Sequence, residues 1–146
     1  MSRFHVHVAV DDLARNIAFY SAVFGVSPSV VKPDYAKWEL SDPKLNFAIS
    51  TRGRTAGLDH VGIQTDSEEE LAAVRARLDA AGLAGVAQDN TTCCYARSDK
   101  YWVVDPQGIA WETFHTLGSA PVFGETAEQA SDAGACCTPN LSGCCG

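Results

Sequence analysis

Hydrophobic and polar residues alternate in several short segments of the chain, and a period of two is typical of β-strands buried on one face. The even-numbered residues from Phe4 to Val10 form an apolar row, which leaves His5 and His7 on the opposite side. Segment 60–64 alternates in the same way, with His60 on its polar side. These segments therefore predict two strands that each present histidine opposite an apolar face.

Two other stretches have the period of an amphipathic helix. Their apolar residues are Leu13, Ile17, Tyr20 and Phe24 in the first stretch and Leu71, Val74 and Leu78 in the second. Gly25 and Gly82 stand where these helices should end. Ser67, which three glutamates follow, fits a capping box at the start of the second helix.

The order of these elements occurs twice along the chain. HVHVAVD at 5–11 and HVGIQTD at 60–66 are alike, and each precedes a helical stretch and three strand-like segments. The three segments lie near 28–31, 35–40 and 45–51 in the first half, and near 86–88, 101–104 and 109–115 in the second. The sequence thus predicts an α+β fold of two βαβββ modules, about residues 3–51 and 58–116, within a domain of residues 1–116.

The remaining residues, 117–146, are rich in Gly, Ala, Ser and Thr and predict a flexible tail. All six cysteines occur as adjacent pairs: Cys93 and Cys94, Cys136 and Cys137, Cys144 and Cys145. Neighbouring Cα atoms are about 3.8 Å apart, which is shorter than disulfides normally span. Bridges between different pairs stay possible, but we expect reduced thiols that act as ligands for a soft species.

Composition limits the classes of function. The 146 residues are 46% hydrophobic and have a formal net charge of -7, which predicts one domain and argues against a nucleic-acid surface. The N-terminus has neither a signal-peptide pattern nor a membrane span, so we expect a cytoplasmic protein that does not bind membranes. Since one chain contains both modules, a monomer can form the whole site, and a dimer stays open.

The polar sides of the strands predict a metal site. Two open sheets that face each other would bring His5, His60 and Glu112 into one concavity. Two imidazoles and a carboxylate bind a divalent transition ion and leave positions open, as in non-haem Fe(II) sites that activate dioxygen. The position that matches Glu112 in the first half falls near Phe47 or Ala48, where there is no carboxylate. We therefore expect three protein ligands.

Other polar residues have competing interpretations. His7 shares a face with His5 and is a rival ligand, but the repeat aligns His5 with His60. For His7 and His115 we favour structural or ligand-supporting roles. The second half also inserts a segment, 89–100, that contains Cys93 and Cys94, and we expect a binding loop or lid there.

Several motifs carry a family resemblance. VDDLARNIAFYSAVFG, LDHVGI and DPQGIAWE resemble, over residues 3–116, the vicinal oxygen chelate superfamily of glyoxalase I, extradiol dioxygenases and fosfomycin resistance proteins. The initial MSR, FYSAVFG, NTTCCYA followed by DKYWV, and the cysteine-paired tail are similar to the organoarsenical carbon–arsenic lyases and their cadmium-induced relatives. This narrower resemblance implies an Fe(II)-dependent dioxygenase, with dioxygen as co-substrate, that cleaves trivalent methyl and aromatic arsenicals to arsenite.

The resemblance also implies roles for individual residues. The metal ligands of that family fall on His5, where members can have Gln, and on His60 and Glu112, and its arsenic-binding thiols fall on Cys93 and Cys94. Trivalent arsenic in a methylarsenical keeps one carbon bond and has two positions for sulfur, which two neighbouring thiolates match.

Further residues of the loop and tail have open roles. Lys100 and Arg97 either favour the thiolate form by their charge or are solvated, and Tyr95 either packs the loop or lines the pocket. For the tail pairs, Cys136, Cys137, Cys144 and Cys145, we consider substrate capture, soft-metal buffering or no role. The main rival function is a non-enzymatic protein that sequesters Cd(II) or As(III), and a glyoxalase-like isomerase is disfavoured by the missing fourth ligand.

Overall fold

The computed structural model describes residues 2–52 and 55–122 and has two helices and eight strands over that part of the chain. In chain order these elements are β1 Arg3–Ala9, α1 Leu13–Phe24, β2 Val30–Lys32, β3 Tyr35–Ser41, β4 Lys44–Ser50, β5 Gly57–Thr65, α2 Glu68–Ala80, β6 Val86–Cys93, β7 Ala96–Val104 and β8 Ala110–Ser119. Each half is a βαβββ module, as the repeat predicts.

The two modules form one continuous sheet instead of two separate sheets that face each other. The strand order is β2-β3-β4-β1-β5-β8-β7-β6, so the modules meet where β1 pairs with β5 in antiparallel fashion. Pairing these strands satisfies backbone groups that two separate sheets would leave exposed at their edges. The sheet curls, and the concave side that the histidines share arises from this curl.

The helices begin and end where the sequence predicts. Ser67 Oγ accepts a hydrogen bond from the backbone N–H of Glu70 at the start of α2. Gly25 follows α1 with φ 70° and Gly82 follows α2 with φ 74°, left-handed conformations that glycine adopts readily. Neither helix in this part of the chain is long and apolar enough to cross a membrane.

The main core lies between α1 and the convex side of the first module. It contains Val10, Ala36, Trp38, Phe47 and Ile49, with Val6, Val8, Leu13, Ile17, Tyr20, Phe24, Leu40 and Leu45 packed against them. The apolar side chains of β1 therefore pack against α1. This arrangement leaves the opposite face of β1, which has His5 and His7, for the concave side.

The predicted loop at 89–100 is a β-hairpin. Strands β6 and β7 pair in antiparallel fashion up to Cys93 and Ala96, and Cys94 and Tyr95 form a two-residue turn. The last strand, β8, continues to Ser119, three residues beyond the predicted end of the domain at residue 116. The four tail cysteines, Cys136, Cys137, Cys144 and Cys145, lie outside the described residues.

Candidate metal and thiol site

A single glycine allows two predicted ligands to meet across a strand. His5 on β1 and Glu112 on β8 are both in register with Gly62 on the intervening strand, β5. A Cβ added to Gly62 would lie 1.7 Å from the backbone oxygen of Glu112, so only glycine fits there. Because position 62 has no side chain, His5 Nε2 and Glu112 Oε2 approach to 3.4 Å.

His60 completes a compact triangle with these two groups. Its Nε2 lies 3.1 Å from His5 Nε2 and 3.2 Å from Glu112 Oε2. Two atoms bound to one ion at about 2.1 Å are about 3.0 Å apart at right angles and about 3.4 Å apart at the tetrahedral angle. The three atoms therefore have the separations that ligands of one transition ion require.

Hydrogen bonds at the outer nitrogens of the two imidazoles leave the lone pairs of the neutral rings on their inner nitrogens. His60 Nδ1 is 2.7 Å from Asp59 Oδ1, and His5 Nδ1 is 3.2 Å from the backbone oxygen of Asn46. Both partners are acceptors, so each neutral ring donates from Nδ1 and has its lone pair on Nε2. Two lone pairs and a carboxylate oxygen then converge on one point, which favours a cation there.

The charges around this point have large effects. Burial would lower the pKa of His60, but its hydrogen bonds to Asp59 and Glu112 and their charges raise it to about 9. Burial lowers the pKa of His5 to about 3, with further lowering by the positive charges of His60 and Lys100. Although burial opposes it, the charges of Lys100 and His60 hold the pKa of Glu112 well below its usual range. Without a metal, the site therefore contains an ionised Glu112 beside a protonated His60 and a neutral His5, and a bound ion would displace the His60 proton from Nε2.

A third imidazole lies beside this triangle. The ligand nitrogens of His5, His7 and His60 all lie within 4.8 Å of one another, and all three residues are buried, so the group can hold a metal ion. In the first module Ala48 occupies the position that Glu112 has in the second, since it is in register with His7 as Glu112 is with Gly62. The predicted absence of a carboxylate at this position is confirmed.

The cysteine pair adopts an unusual backbone conformation. Cys94 and Tyr95 have φ values of 55° and 59°, as a type I′ hairpin turn requires, although neither is the Asn or Gly that this turn prefers. Successive residues of a strand point to opposite faces, but the left-handed Cys94 brings the two Sγ atoms to 3.3 Å. Such a conformation costs about 1–3 kcal/mol for each non-glycine residue, and strained residues of this kind are common at functional sites.

The two thiols line one cavity together with His5 and Glu112, while His60 is not among its lining residues. The cavity has a volume of about 40 Å³, and its walls include His5, Glu112, Cys93, Cys94, Lys100 and Phe114. Cys93 is only 2% exposed, and it packs with Tyr35 and Ala48 of the first module. A larger groove of about 300 Å³ next to α1 shares no residue with this site.

Lys100 lies in the cavity with both the predicted metal ligand Glu112 and the two thiols. Its buried Nζ donates to Glu112 Oε1 and lies 5.8 and 5.9 Å from the ring centroids of Trp102 and Phe114. Burial would lower the pKa of Lys100, but the charges of Glu112, Cys93 and Cys94 raise it well above its usual value. Lys100 is therefore a charged partner of the carboxylate as well as of the thiols, and a solvated position is wrong for it.

The other predicted residues have identifiable places. Tyr95 is at the tip of the hairpin, where its hydroxyl donates to Asp34 of the first module at 2.5 Å. Arg97 is exposed, and His115 Nδ1 is 3.3 Å from the backbone oxygen of Thr65. Our sequence reasoning missed Asp59, although its place directly before His60 was a usable signal.

Comparisons with known proteins identify the family of this chain. Residues 3–113 match the family model described as the Glyoxalase/Bleomycin resistance protein/Dioxygenase superfamily. A protein of Bacillus sp. (strain MD1) named trivalent organoarsenical cleaving enzyme is 46% identical over 115 residues, 77% of this chain and 71% of the relative. The cadmium-induced protein CadI of Mycobacterium bovis is 38% identical over 144 residues, 94% of this chain and 93% of the relative.

A solved structure shares the fold. The extradiol ring-cleaving dioxygenase from B. fuscum aligns with a TM-score of 0.59 and 19% identity, over 80% of this chain and 32% of that one. At this level of identity the likeness concerns the fold. Together with the family model and the relatives, it shows that this chain belongs to the glyoxalase/bleomycin resistance protein/dioxygenase superfamily.

Proposed function

We propose that this protein is an Fe(II)-dependent dioxygenase that cleaves the carbon–arsenic bond of trivalent organoarsenicals and releases arsenite. The observation that carries the proposal is the shared cavity, because Cys93 and Cys94 line it together with His5 and Glu112. Soft thiolates and a His–Glu ligand set have different chemical preferences, so one cavity can bind arsenic and iron separately. The name of the Bacillus relative supports the choice of substrate.

In this proposal the cysteine pair binds the substrate. Each thiol replaces one hydroxyl of a methylarsenical, and its proton leaves with that hydroxyl as water. The two Sγ atoms are 3.3 Å apart and can bind one arsenic atom without further rearrangement of the pair. Lys100 favours the thiolate form by its charge.

His5, His60 and Glu112 would hold the iron, which would activate dioxygen when bound. For methylarsenite, one O2 would give arsenite and formaldehyde, so the four electrons come from the methyl carbon and no external reductant is needed. Asp59 and the Asn46 carbonyl orient the two imidazoles, and Lys100 keeps Glu112 ionised. The buried surroundings exclude water from the carbon–arsenic bond. Substrate binding and iron binding then belong to different residues.

That separation defines the test. The protein is loaded anaerobically with Fe(II) and then given air and methylarsenite, while oxygen uptake and arsenite are measured. We expect Cys93→Ser to weaken arsenical binding, and Glu112→Ala to retain binding and lose turnover. Glu69→Gln, an exposed position on α2, is the matched control. Arsenite release by Glu112→Ala at the parent rate would contradict the iron mechanism.

A second candidate function is sequestration of Cd(II) or As(III) without turnover. The relative named cadmium-induced protein and the close sulfur pair favour it. This function needs the thiols but not His5, His60 or Glu112. Stoichiometric metal binding with no oxygen uptake by the Fe(II)-loaded protein would support sequestration over the dioxygenase.

The tail cysteines enter the proposal as a capture site for the arsenical. Truncation after Val122 would remove Cys136, Cys137, Cys144 and Cys145 and leave β8 intact. We expect slower turnover at low arsenical concentration and unchanged turnover at saturation. Identical rates at both concentrations would argue against a capture role.

A further inference from the structure

His7 is a buried histidine that is not part of the proposed ligand set of His5, His60 and Glu112. It lies two residues after His5 on β1, so both side chains point to the concave side. It is also the direct cross-strand partner of His60. His7 is 1% exposed, which is unusual for a histidine unless polar partners surround it.

The hydrogen bonds of His7 are incomplete. Its Nε2 lies 2.8 Å from Ser50 Oγ, but its Nδ1 is buried and has no hydrogen-bond partner among residues 2–52 and 55–122. A buried nitrogen without a partner costs about 1–3 kcal/mol. Such atoms call for an explanation, and an ion is one of the common ones. When Nε2–H donates to Ser50, the lone pair of the ring is on Nδ1 and is available to a metal.

His7 lies beside the position at which the first module has no counterpart of the ligand Glu112. His7 is in register with Ala48, the position at which the second module has Glu112. Ala48 is fully buried and offers no polar group to the imidazole. One ring nitrogen of His7 lies within 4.8 Å of ligand nitrogens of His5 and His60. A change in the orientation of the ring would bring Nδ1 to an ion that His5 and His60 hold.

From these observations we infer that His7 is a fourth protein ligand, which binds the metal through Nδ1 and gives a centre of three imidazoles and one carboxylate. The inference rests on the metal centre of the proposed function. In a six-coordinate ion it leaves two open positions instead of three. Substrate binding does not compete for them, because the thiol pair holds the arsenical.

The test counts imidazoles on the metal. The full chain is loaded with Co(II), and X-ray absorption of the bound ion gives the number of histidine ligands. We expect three imidazoles in the parent, two in His7→Gln, and at least a tenfold higher Kd for Co(II) in that variant. Ser50→Ala tests a purely structural role, since it removes the partner of Nε2 and should leave the count at three. His115→Ala, which removes a histidine outside the site, should also leave it at three.

The outcomes separate this inference from the proposed function. Two imidazoles in the parent would overturn the fourth ligand and leave the proposed centre intact. A parent chain that binds neither Co(II) nor Fe(II) would overturn both. The count in the parent decides the question even if His7→Gln does not fold.

Discussion

Removal of Asp59 should weaken metal binding without affecting the thiols. The carboxylate of Asp59 accepts from His60 Nδ1 at 2.7 Å, and the two side chains are 5% and 2% exposed. It therefore holds the ring in the tautomer whose Nε2 lone pair faces His5 and Glu112, and its charge makes that nitrogen a better donor to a metal. Asp59→Asn keeps an acceptor and removes the charge, whereas Asp59→Ala removes both.

Loss of a hydrogen-bond partner behind a histidine ligand typically costs 10- to 100-fold in metal affinity, or about 1.4–2.7 kcal/mol. Since the Asp59–His60 bond is almost fully buried, we expect Asp59→Ala near the upper end and Asp59→Asn near the lower end. Titration with Co(II), followed by its visible absorption, measures Kd. Binding of phenylarsine oxide to the cysteine pair should stay at the parent level in both variants.

Asp11→Asn, at an exposed position before α1, is the matched control and should have the parent Kd. The reasoning fails if Asp59→Ala binds Co(II) as tightly as the parent. Equal losses in metal and arsenical binding would indicate general damage to the fold instead of an effect on His60.

Three further predictions follow from the contacts around the site. Gly62→Ala on β5 should destabilise the protein by at least about 3 kcal/mol in urea denaturation, because its Cβ would overlap the backbone of β8. Gly118→Ala on β8 is the control, because a Cβ there meets no atom within 4 Å and should leave the stability unchanged. Lys100→Met removes the cation that pairs with buried Glu112 Oε1 and leaves only His60 beside Oε2, so it should destabilise the metal-free protein by about 3 kcal/mol, the lower end for a broken buried ion pair; a stability equal to the parent in thermal melts would refute this. Tyr95→Phe removes the hydroxyl that anchors the hairpin tip to the first module, so hydrogen exchange of the backbone amides in the turn should accelerate; unchanged exchange would show that the bond is dispensable.

The proximity of His5, His60 and Glu112 was predictable because it depends on short patterns that occur twice. Strand alternation places His5 and His60 on the polar side of equivalent strands, and the repeat distinguishes His5 from His7. The same alternation selects Glu112 on the last strand. The structure brings these three side chains together, although through one continuous sheet and not through two facing ones.

The contacts that these residues make with other parts of the chain were harder to predict from the sequence. Lys100 was expected either to favour the thiolates by its charge or to be solvated, but it is buried and its Nζ pairs with Glu112. The cysteine segment has no Asn-Gly or Asp-Gly turn signal, so it reads as a loop, whereas it folds as a hairpin with a strained turn at Cys94 and Tyr95. Interactions with the first module, which include the bond from Tyr95 to Asp34, accompany that turn.

The order of helices and strands, the two modules and the polar faces of β1 and β5 follow from the sequence, because periodicity and capping act between residues close together in the chain. The tertiary structure decided how the modules join, that Gly62 lets His5 meet Glu112, and that the thiols share one cavity with His5 and Glu112. These features depend on register and close approach between strands far apart in sequence. No local pattern of hydrophobic and polar residues specifies such long-range contacts.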